Sequence, residues 1–502
     1  MADPLSDHGN LAAVLDLAAR EAKAYLDGID VALVRPRRGV AVPDMALPEQ
    51  GVGSLAALTE LIEAANESST RSGGPRFFHF VMGGGTPAAL AADWLTSALD
   101  QSAYNWVSSA FASRLEQVSI GWLKDLFGLP AAWGGVITTG ATMANFAGLA
   151  AARRWWGLQQ GVDVEAVGLS GLPPMTILSS GYVHVSALKA IAMLGLGRER
   201  VRTLSRDSAG RIDLDALASV LQERDSEPAV IIANAGDVNT GDFDPIADMV
   251  ALASKHRAWV HVDGAFGLFA AVSPTTRHLV EGLDQADSVG VDGHKWLNVP
   301  YDSGYAFVRE PEFLAGAFGA SASYLGAEAL ARPVFGNLGP EMSRRARSLA
   351  VWATLRAYGR EGYRAMIERH LRLAVRVAEQ VDAAPDLERL ADLSLNVVCF
   401  RYRPPGIPED QLDDLNRTLG ELVLEDGRVY FGTTVYAGNV AFRPAIVNWR
   451  TREEDADLIV ATVRELGARA VAQVEASRER GATPVLAMPE PVESAEAAKP
   501  QR

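Results

Sequence analysis

"PAVIIANAGDVNTGDFDPIADMVALASKHRAWVHVDGA", Pro228 to Ala265, is the stretch whose reading decides the fold. "PAVIIANAG" is a short apolar run closed by a glycine, which reads as a buried strand. "DPIADMVALASKH" repeats its apolar residues at helical spacing, and "WVHVDGA" returns to a short β-rich run. Strand, helix and strand in close succession form a crossover unit, the connection that parallel neighbours in one sheet require.

The same alternation extends in both directions. Upstream, "GGVITTG" precedes "ATMANFAGLAAARRWW", "MTILSS" precedes "VSALKAIAMLGL", and "VRTL" precedes "DLDALASVLQER"; downstream, "DSVGVDG" and "GYAFVR" add two more strands. The pattern predicts an α/β fold with a mainly parallel sheet covered on both faces, in which ligands bind beyond the carboxyl ends of the strands. Residues 1–95 read as a helical N-terminal arm, with amphipathic spacing from about Asn10 to Ala65, followed by the glycine-bearing segment "RFFHFVMGGGTPAALAADWL". Residues 96–345 form the large α/β domain. Residues 346–480 form a small α+β domain, containing "SLAVWATLRAYGREGYRAMIERHLRLAVRVAEQV", the strand-like runs "LNVVCFRYRP" and "NVAFRPAIVN", and a last helix. The Pro-, Ala- and Glu-rich end, 481–502, reads as disordered.

Composition narrows the class of partner. The net charge is −15, and the basic runs are as short as "RPRR" (Arg35 to Arg38) and "SRRAR" (Ser343 to Arg347). Nucleic acid and anionic membrane are therefore not expected as partners. Cys399 is the one cysteine, set in the apolar run "LNVVCF", which fits a buried thiol in a reducing compartment. No stretch approaches the ~18 apolar residues of a membrane span, and the cytoplasm is the expected location. No metal site is expected.

Four features fall at strand ends. Lys295, in "DGHKWLNVP", is an amine among apolar residues, where lost hydration favours the neutral nucleophile that attacks a carbonyl. Asp263, at the end of "WVHVDGA", is a buried carboxylate in need of a cation. Gly140, Ala141 and Thr142, in "ITTGATMANF", form a small-residue turn entering a helix, whose free N–H groups suit a phosphate. His184, in "SSGYVHVSALKA", offers a flat ring for stacking. Singly, each has an ordinary reading: a solvated lysine, a loop-capping aspartate, a connecting turn, a satisfied histidine. Jointly they are the requirements of pyridoxal 5′-phosphate (PLP): an aldehyde-capturing amine, an acid for the pyridine nitrogen, a phosphate site and a stacking group.

At these residues the chain resembles the PLP-dependent group II amino-acid decarboxylases, of the aromatic-L-amino-acid and glutamate decarboxylase kind. "NWVSSAFASRLEQVSIGWLKDLFGLP", "TTGATMANFAGLAAAR", "NAGDVNTGDFDPI", "HVDGAFG", "DGHKW" and "SRRARSLAVWATLRAYG" carry the likeness, which runs from about Phe77 to Gly467. The resemblance implies the type I fold of PLP-dependent transferases, with a mainly parallel seven-stranded sheet, and a homodimer with shared active sites. It implies that Lys295 holds the cofactor, that Asp263 pairs with the pyridine nitrogen, and that Ala265 and His184 lie on the two ring faces. Gly140, Ala141 and Thr142 would meet the phosphate with His294, and Asp292 would lie near the cofactor. Arg443, in "FRPAIVN", would lie near the substrate carboxylate or, as readily, serve in a structural ion pair. The implied reaction is decarboxylation of an L-amino acid, through an external aldimine, to an amine and CO2. "HFVMGGGT" would form a substrate wall, and Phe80 and Met82 on it suggest an aromatic or hydrophobic side chain.

Two departures from the family pattern matter. The loop tyrosine that protonates Cα in the family, on a mobile segment reaching the partner's site, matches Phe335 here, which has no proton to give; Tyr324 is the one tyrosine in the loop, and His184 is another candidate donor. In related enzymes a phenylalanine at this place accompanies oxygen-dependent conversion of the amino acid to an aldehyde, CO2 and ammonia, so an aldehyde synthase is the alternative. "HVDGAFG" also carries Gly264 and Phe266 where relatives often have Ala and Tyr, which alters the pocket's shape. A PLP-binding regulator or inactive scaffold would show a lost lysine or an added DNA-binding helix pair, and neither is present.

Overall fold

The computed structural model describes residues 3–36, 42, 46–224, 227–319 and 332–479. Tyr324 and the tail from 481 lie outside the described residues. Seven strands build the main sheet: β1 (Gly134–Thr138), β2 (Thr176–Ser179), β3 (Val201–Thr203), β4 (Ala229–Asn234), β5 (Ala258–Asp263), β6 (Ser288–Asp292) and β7 (Gly304–Val308), in the order β1-β7-β6-β5-β4-β2-β3. The strands from β6 across to β3 pair in parallel, joined by helical crossovers. β7 runs against both of its neighbours. The reason lies in the β6–β7 link, which is too short for a crossover, so the chain reverses. That link carries Lys295.

Helices cover both faces. Along β4, Val230 and Ile232 join one apolar cluster while Ala229, Ile231 and Ala233 join another, the period of two expected of a strand buried on both sides. The helix Ala141–Gln159 starts just beyond the end of β1, which sets its positive end beside the β6–β7 link.

A second sheet, antiparallel throughout, contains β8 (Leu387–Arg389), β9 (Phe400–Tyr402), β10 (Thr433–Tyr436) and β11 (Asn439–Phe442) in the order β10-β11-β9-β8. It shares a core with the helices Glu409–Asp426 and Glu453–Glu479. The preceding helical segment, Ser348–Ala383, is two helices joined at Gly359, whose φ of 60° and ψ of −171° break the spiral. In the N-terminal arm, the helices Leu11–Gly28 and Ser54–Ser68 bury none of their residues within this chain.

Candidate active site

Asp292, the last residue of β6, organises the cluster around Lys295. Its Oδ1 accepts hydrogen bonds from the Ala141 N–H (2.5 Å) and from His294 Nε2 (3.0 Å), and its Oδ2 lies 3.2 Å from Lys295 Nζ. His294 is fixed from its other side, where Nδ1 accepts the Ser303 N–H at 3.2 Å, and its ring stacks on Tyr301 at 4.1 Å. Burial alone would raise the Asp292 pKa; the Lys295 charge, His294 and the Ala141 amide outweigh it and hold the carboxyl at about 2. Two expectations are corrected here. Lys295 is not sealed among apolar groups: its Nζ faces the Asp292 carboxylate at 3.2 Å as well as the Phe266 ring, whose centroid lies 5.6 Å away. The Ala141 amide, offered by the sequence to a phosphate, is engaged by Asp292.

Asp263 ends β5, the strand beside β6, and is buried. Its Oδ2 accepts a hydrogen bond from Asn145 Nδ2 (2.7 Å) and its Oδ1 one from the Ala265 N–H (3.2 Å). Burial pushes this carboxyl above its ordinary range, against the pull of Lys295 and Asn145. Asn145 in turn meets His261, and His261 meets Ser288. These three were not anticipated. The signal for His261 was available: it stands two residues before Asp263 in a strand, so both side chains leave the same face.

His184 caps the helix Val185–Met193, accepting the Ser186 N–H at Nδ1 (3.2 Å). Burial, with the charges of Lys295 and Arg443, brings its pKa down to about 4, so the ring is neutral at physiological pH with its proton on Nε2. Arg443 is buried and donates to the Val238 carbonyl at 3.0 Å; its charge also reaches His79, held by burial at about 3.

Phe80 and Met82 belong to a segment under backbone strain: Phe80 and Val81 both have left-handed φ, 54° and 59°. The Phe80 ring is 53% exposed, while Met82 is half-buried. The segment is anchored by the Gly83 N–H bonding to the His294 carbonyl (3.2 Å), and a Cβ at Gly83 would lie 1.8 Å from the Lys295 carbonyl oxygen. Gly83→Ala must therefore push the backbone of the lysine loop. The expected result is a fold of parental circular dichroism and turnover reduced about 100-fold, the cost of roughly 1 Å of misplacement; parental turnover would show that the contact is unimportant.

Phe335 lies in a 3-10 turn, Phe335–Asn337, and is 2% exposed within the apolar cluster that contains Val136 and Ala306. The structure places it in this chain's own core rather than on an extended loop, since a phenyl ring carries no polar atom to draw it out.

The buried histidines and carboxyls respond to acid in opposite directions. His79, His184, His261 and His370 are held by burial at about 3, 4, 3 and 3, so each contributes stability that is present above pH 6.5 and lost as pH falls towards those values. Asp244 and Asp287, pushed up by burial to about 6, act oppositely and add stability as pH falls below 6. Burial pushes up Asp237 and Asp263 as well, so four carboxyls oppose the four histidines as pH falls.

The donor set fits pyridoxal phosphate. A primary amine, a buried carboxylate with lone pairs to spare, a neutral flat imidazole and a helix start converge beyond the carboxyl ends of β1, β5 and β6. At Gly140 a Cβ would come within 2.9 Å of His294 Cε1 and 3.1 Å of Asp292 Oδ1, so the turn's close approach needs the bare backbone.

Comparison with known proteins agrees. The family model described as "Pyridoxal-dependent decarboxylase conserved domain" matches residues 44–403. The chain is 28% identical over 428 residues to the aromatic-L-amino-acid decarboxylase of Bacillus atrophaeus, covering 84% of this chain and 87% of that one. It is 31% identical over 433 residues to the L-2,4-diaminobutyrate decarboxylase of Rhizobium meliloti, with 84% of each covered. It is 28% identical over 387 residues to the phenylacetaldehyde synthase of Arabidopsis thaliana, covering 74% and 77%. In fold it is similar to Oryza sativa TDC, solved with PLP and tryptamine, at a TM-score of 0.84 over 93% of this chain and 99% of that one, with 23% identity. The amine, acid and helix start gathered around β6 thus belong to a PLP-dependent carboxy-lyase, and the chain is a member of the pyridoxal-dependent decarboxylase family.

Proposed function

We propose that the chain removes the α-carboxylate of an L-amino acid with an aromatic or hydrophobic side chain, releasing CO2 and the amine. The observation that carries this reading is the convergence of Lys295, Asp292 and Ala141, with Asp263 on the neighbouring strand. When bound, pyridoxal phosphate supplies an aldehyde carbon and an electron-accepting ring. Lys295 Nζ would hold it covalently, Asp263 would face the ring nitrogen, and Ala265 and His184 would flank the ring. Gly140 and Thr142 would line the phosphate site, beside the Ala141 amide and the His294 ring that Asp292 holds in place. Arg443 would orient the substrate carboxylate, His184 would keep a proton at Nε2 for transfer, and Phe80 and Met82 would wall the side chain. Exclusion of water on substrate binding would favour loss of the carboxylate.

We also propose a homodimer with shared sites. Leu11, Leu15, Leu55 and Leu61 stand exposed on the two N-terminal helices, an apolar surface suited to a second copy. The single, buried Cys399 supports a reducing, cytoplasmic setting.

The aldehyde synthase reading, which the sequence drew from Phe335, loses that support because Phe335 lies in this chain's own core; it is kept for the likeness to a phenylacetaldehyde synthase. One assay separates the two. Purified enzyme with PLP is given aromatic amino acids, glutamate, cysteine sulfinate and 2,4-diaminobutyrate while CO2, amine, peroxide and ammonia are followed. We expect amine and CO2 in equal amounts, with kcat/KM for an aromatic substrate at least about tenfold above the others. Peroxide and ammonia in place of amine would establish the second reading, and preference for a charged side chain would overturn the aromatic assignment.

A further inference from the structure

We propose that Ser288, His261 and Asn145 form a one-way hydrogen-bond relay that orients the Asp263 carboxylate and biases it towards its charged form at the cofactor's ring nitrogen. This rests on the role proposed above for Asp263.

The direction follows from the two ends. Trp259 Nε1 can only donate, and it donates to Ser288 Oγ at 2.9 Å. The serine hydrogen is then free for His261 Nδ1, 2.8 Å away. A neutral imidazole that accepts at Nδ1 carries its hydrogen on Nε2, which faces Asn145 Oδ1 at 3.1 Å. That contact fixes the orientation of the amide, so Nδ2 donates to Asp263 Oδ2 at 2.7 Å. Each group therefore has one protonation state and one rotamer that satisfies both neighbours. A proton on Asp263 Oδ2 would make that oxygen a poorer acceptor for Nδ2 and weaken the relay's final bond. His261, Ser288 and Asn145 are wholly buried, so no water competes for these positions.

Two glycines provide an independent mark of the same arrangement. Gly148 lies inside the helix Ala141–Gln159, where glycine is unfavourable, and a Cβ there would fall 2.7 Å from His261 Cε1 and 2.8 Å from Nδ1. Gly290, inside β6, would meet Asn145 Oδ1 at 2.3 Å. Helix and strand both give up a side chain at the points where the relay passes between them. Gly148 clears the His261 ring and Gly290 clears the Asn145 amide, the two groups between which the relay passes.

The test compares Asn145→Ala, His261→Leu, His261→Gln, Ser288→Ala and Asp263→Asn in the PLP-loaded enzyme. Readouts are PLP affinity by titration, the pH dependence of the visible absorption, and kcat and KM taken separately. Asn145→Ala and His261→Leu are expected to weaken PLP binding and lower kcat by roughly ten- to a hundredfold, the equivalent of one lost hydrogen bond to a charged group, with KM within about twofold and the absorption pH profile displaced. His261→Gln can accept from Ser288 and donate to Asn145, so it should recover most of the loss. Ser288→Ala should give a smaller loss of the same kind, and serves if His261→Leu does not fold. If Asp263→Asn disables the enzyme while the relay variants keep parental affinity and pH profile, or alter only the melting temperature, the relay is refuted. If Asp263→Asn is itself indistinguishable from the parent, the role proposed for Asp263 fails instead.

Discussion

Lys295→Ala is expected to leave a colourless protein that loses pyridoxal phosphate on gel filtration and turns over amino acids at least roughly 10²–10⁴ times more slowly, the range for removing a positioned acid–base group alone. Two functions vanish together. The first is the amine that would hold the cofactor. The second is the ammonium 3.2 Å from Asp292, which helps to keep that carboxyl near 2 against its burial. Lys295→Arg separates them: it restores a cation beside Asp292 but cannot form the covalent link. It should be as inactive as the alanine variant and more stable. Visible absorption after gel filtration and CO2 release are the measurements, and parental colour and rate in either variant would sink the proposed role of Lys295.

The largest stability effect is expected at Arg344. Its guanidinium forms a two-pronged pair with Glu116 (2.8 and 3.0 Å) and donates to the Ala103 and Ile137 carbonyls, with side-chain exposures of 2% and 1% for the two partners. Glu116 also accepts the Ile137 N–H at 3.0 Å, so the pair ties the helix Ala110–Phe127 to edge strand β1. Arg344→Ala leaves a buried, uncompensated carboxylate and should cost about 3–5 kcal/mol by urea unfolding. Arg344→Met combined with Glu116→Leu removes both charges, and should lie well above the single variant in stability. A single-variant cost below about 1 kcal/mol, or a double variant worse than the single, would contradict this.

Much of the architecture could be read from the chain because the main strands are short apolar runs separated by helices of ordinary length. β8 and β10 could not, since each has only three or four residues, half-exposed and partly polar, and owes its place to β9 and β11. The break at Gly359 was equally hidden: an isolated glycine is tolerated within a helix, and only packing shows whether the spiral continues. At the site, that Lys295, Asp292, His294 and Ala141 meet follows from strand ends and a helix start, which sheet topology gathers on one edge. Asn145 and Ser288 carry no local signal, because their partners come from other elements and the spacing along the chain is arbitrary.

Gly83 has a consequence for redesign. The wall that Phe80 and Met82 are proposed to present hangs from a point where the chain touches the lysine loop so closely that not even a methyl group fits. Libraries aimed at new substrates can vary position 82, and position 80 among residues that accept its left-handed φ, while position 83 must be left untouched, since any side chain there displaces the lysine loop before it reshapes selectivity.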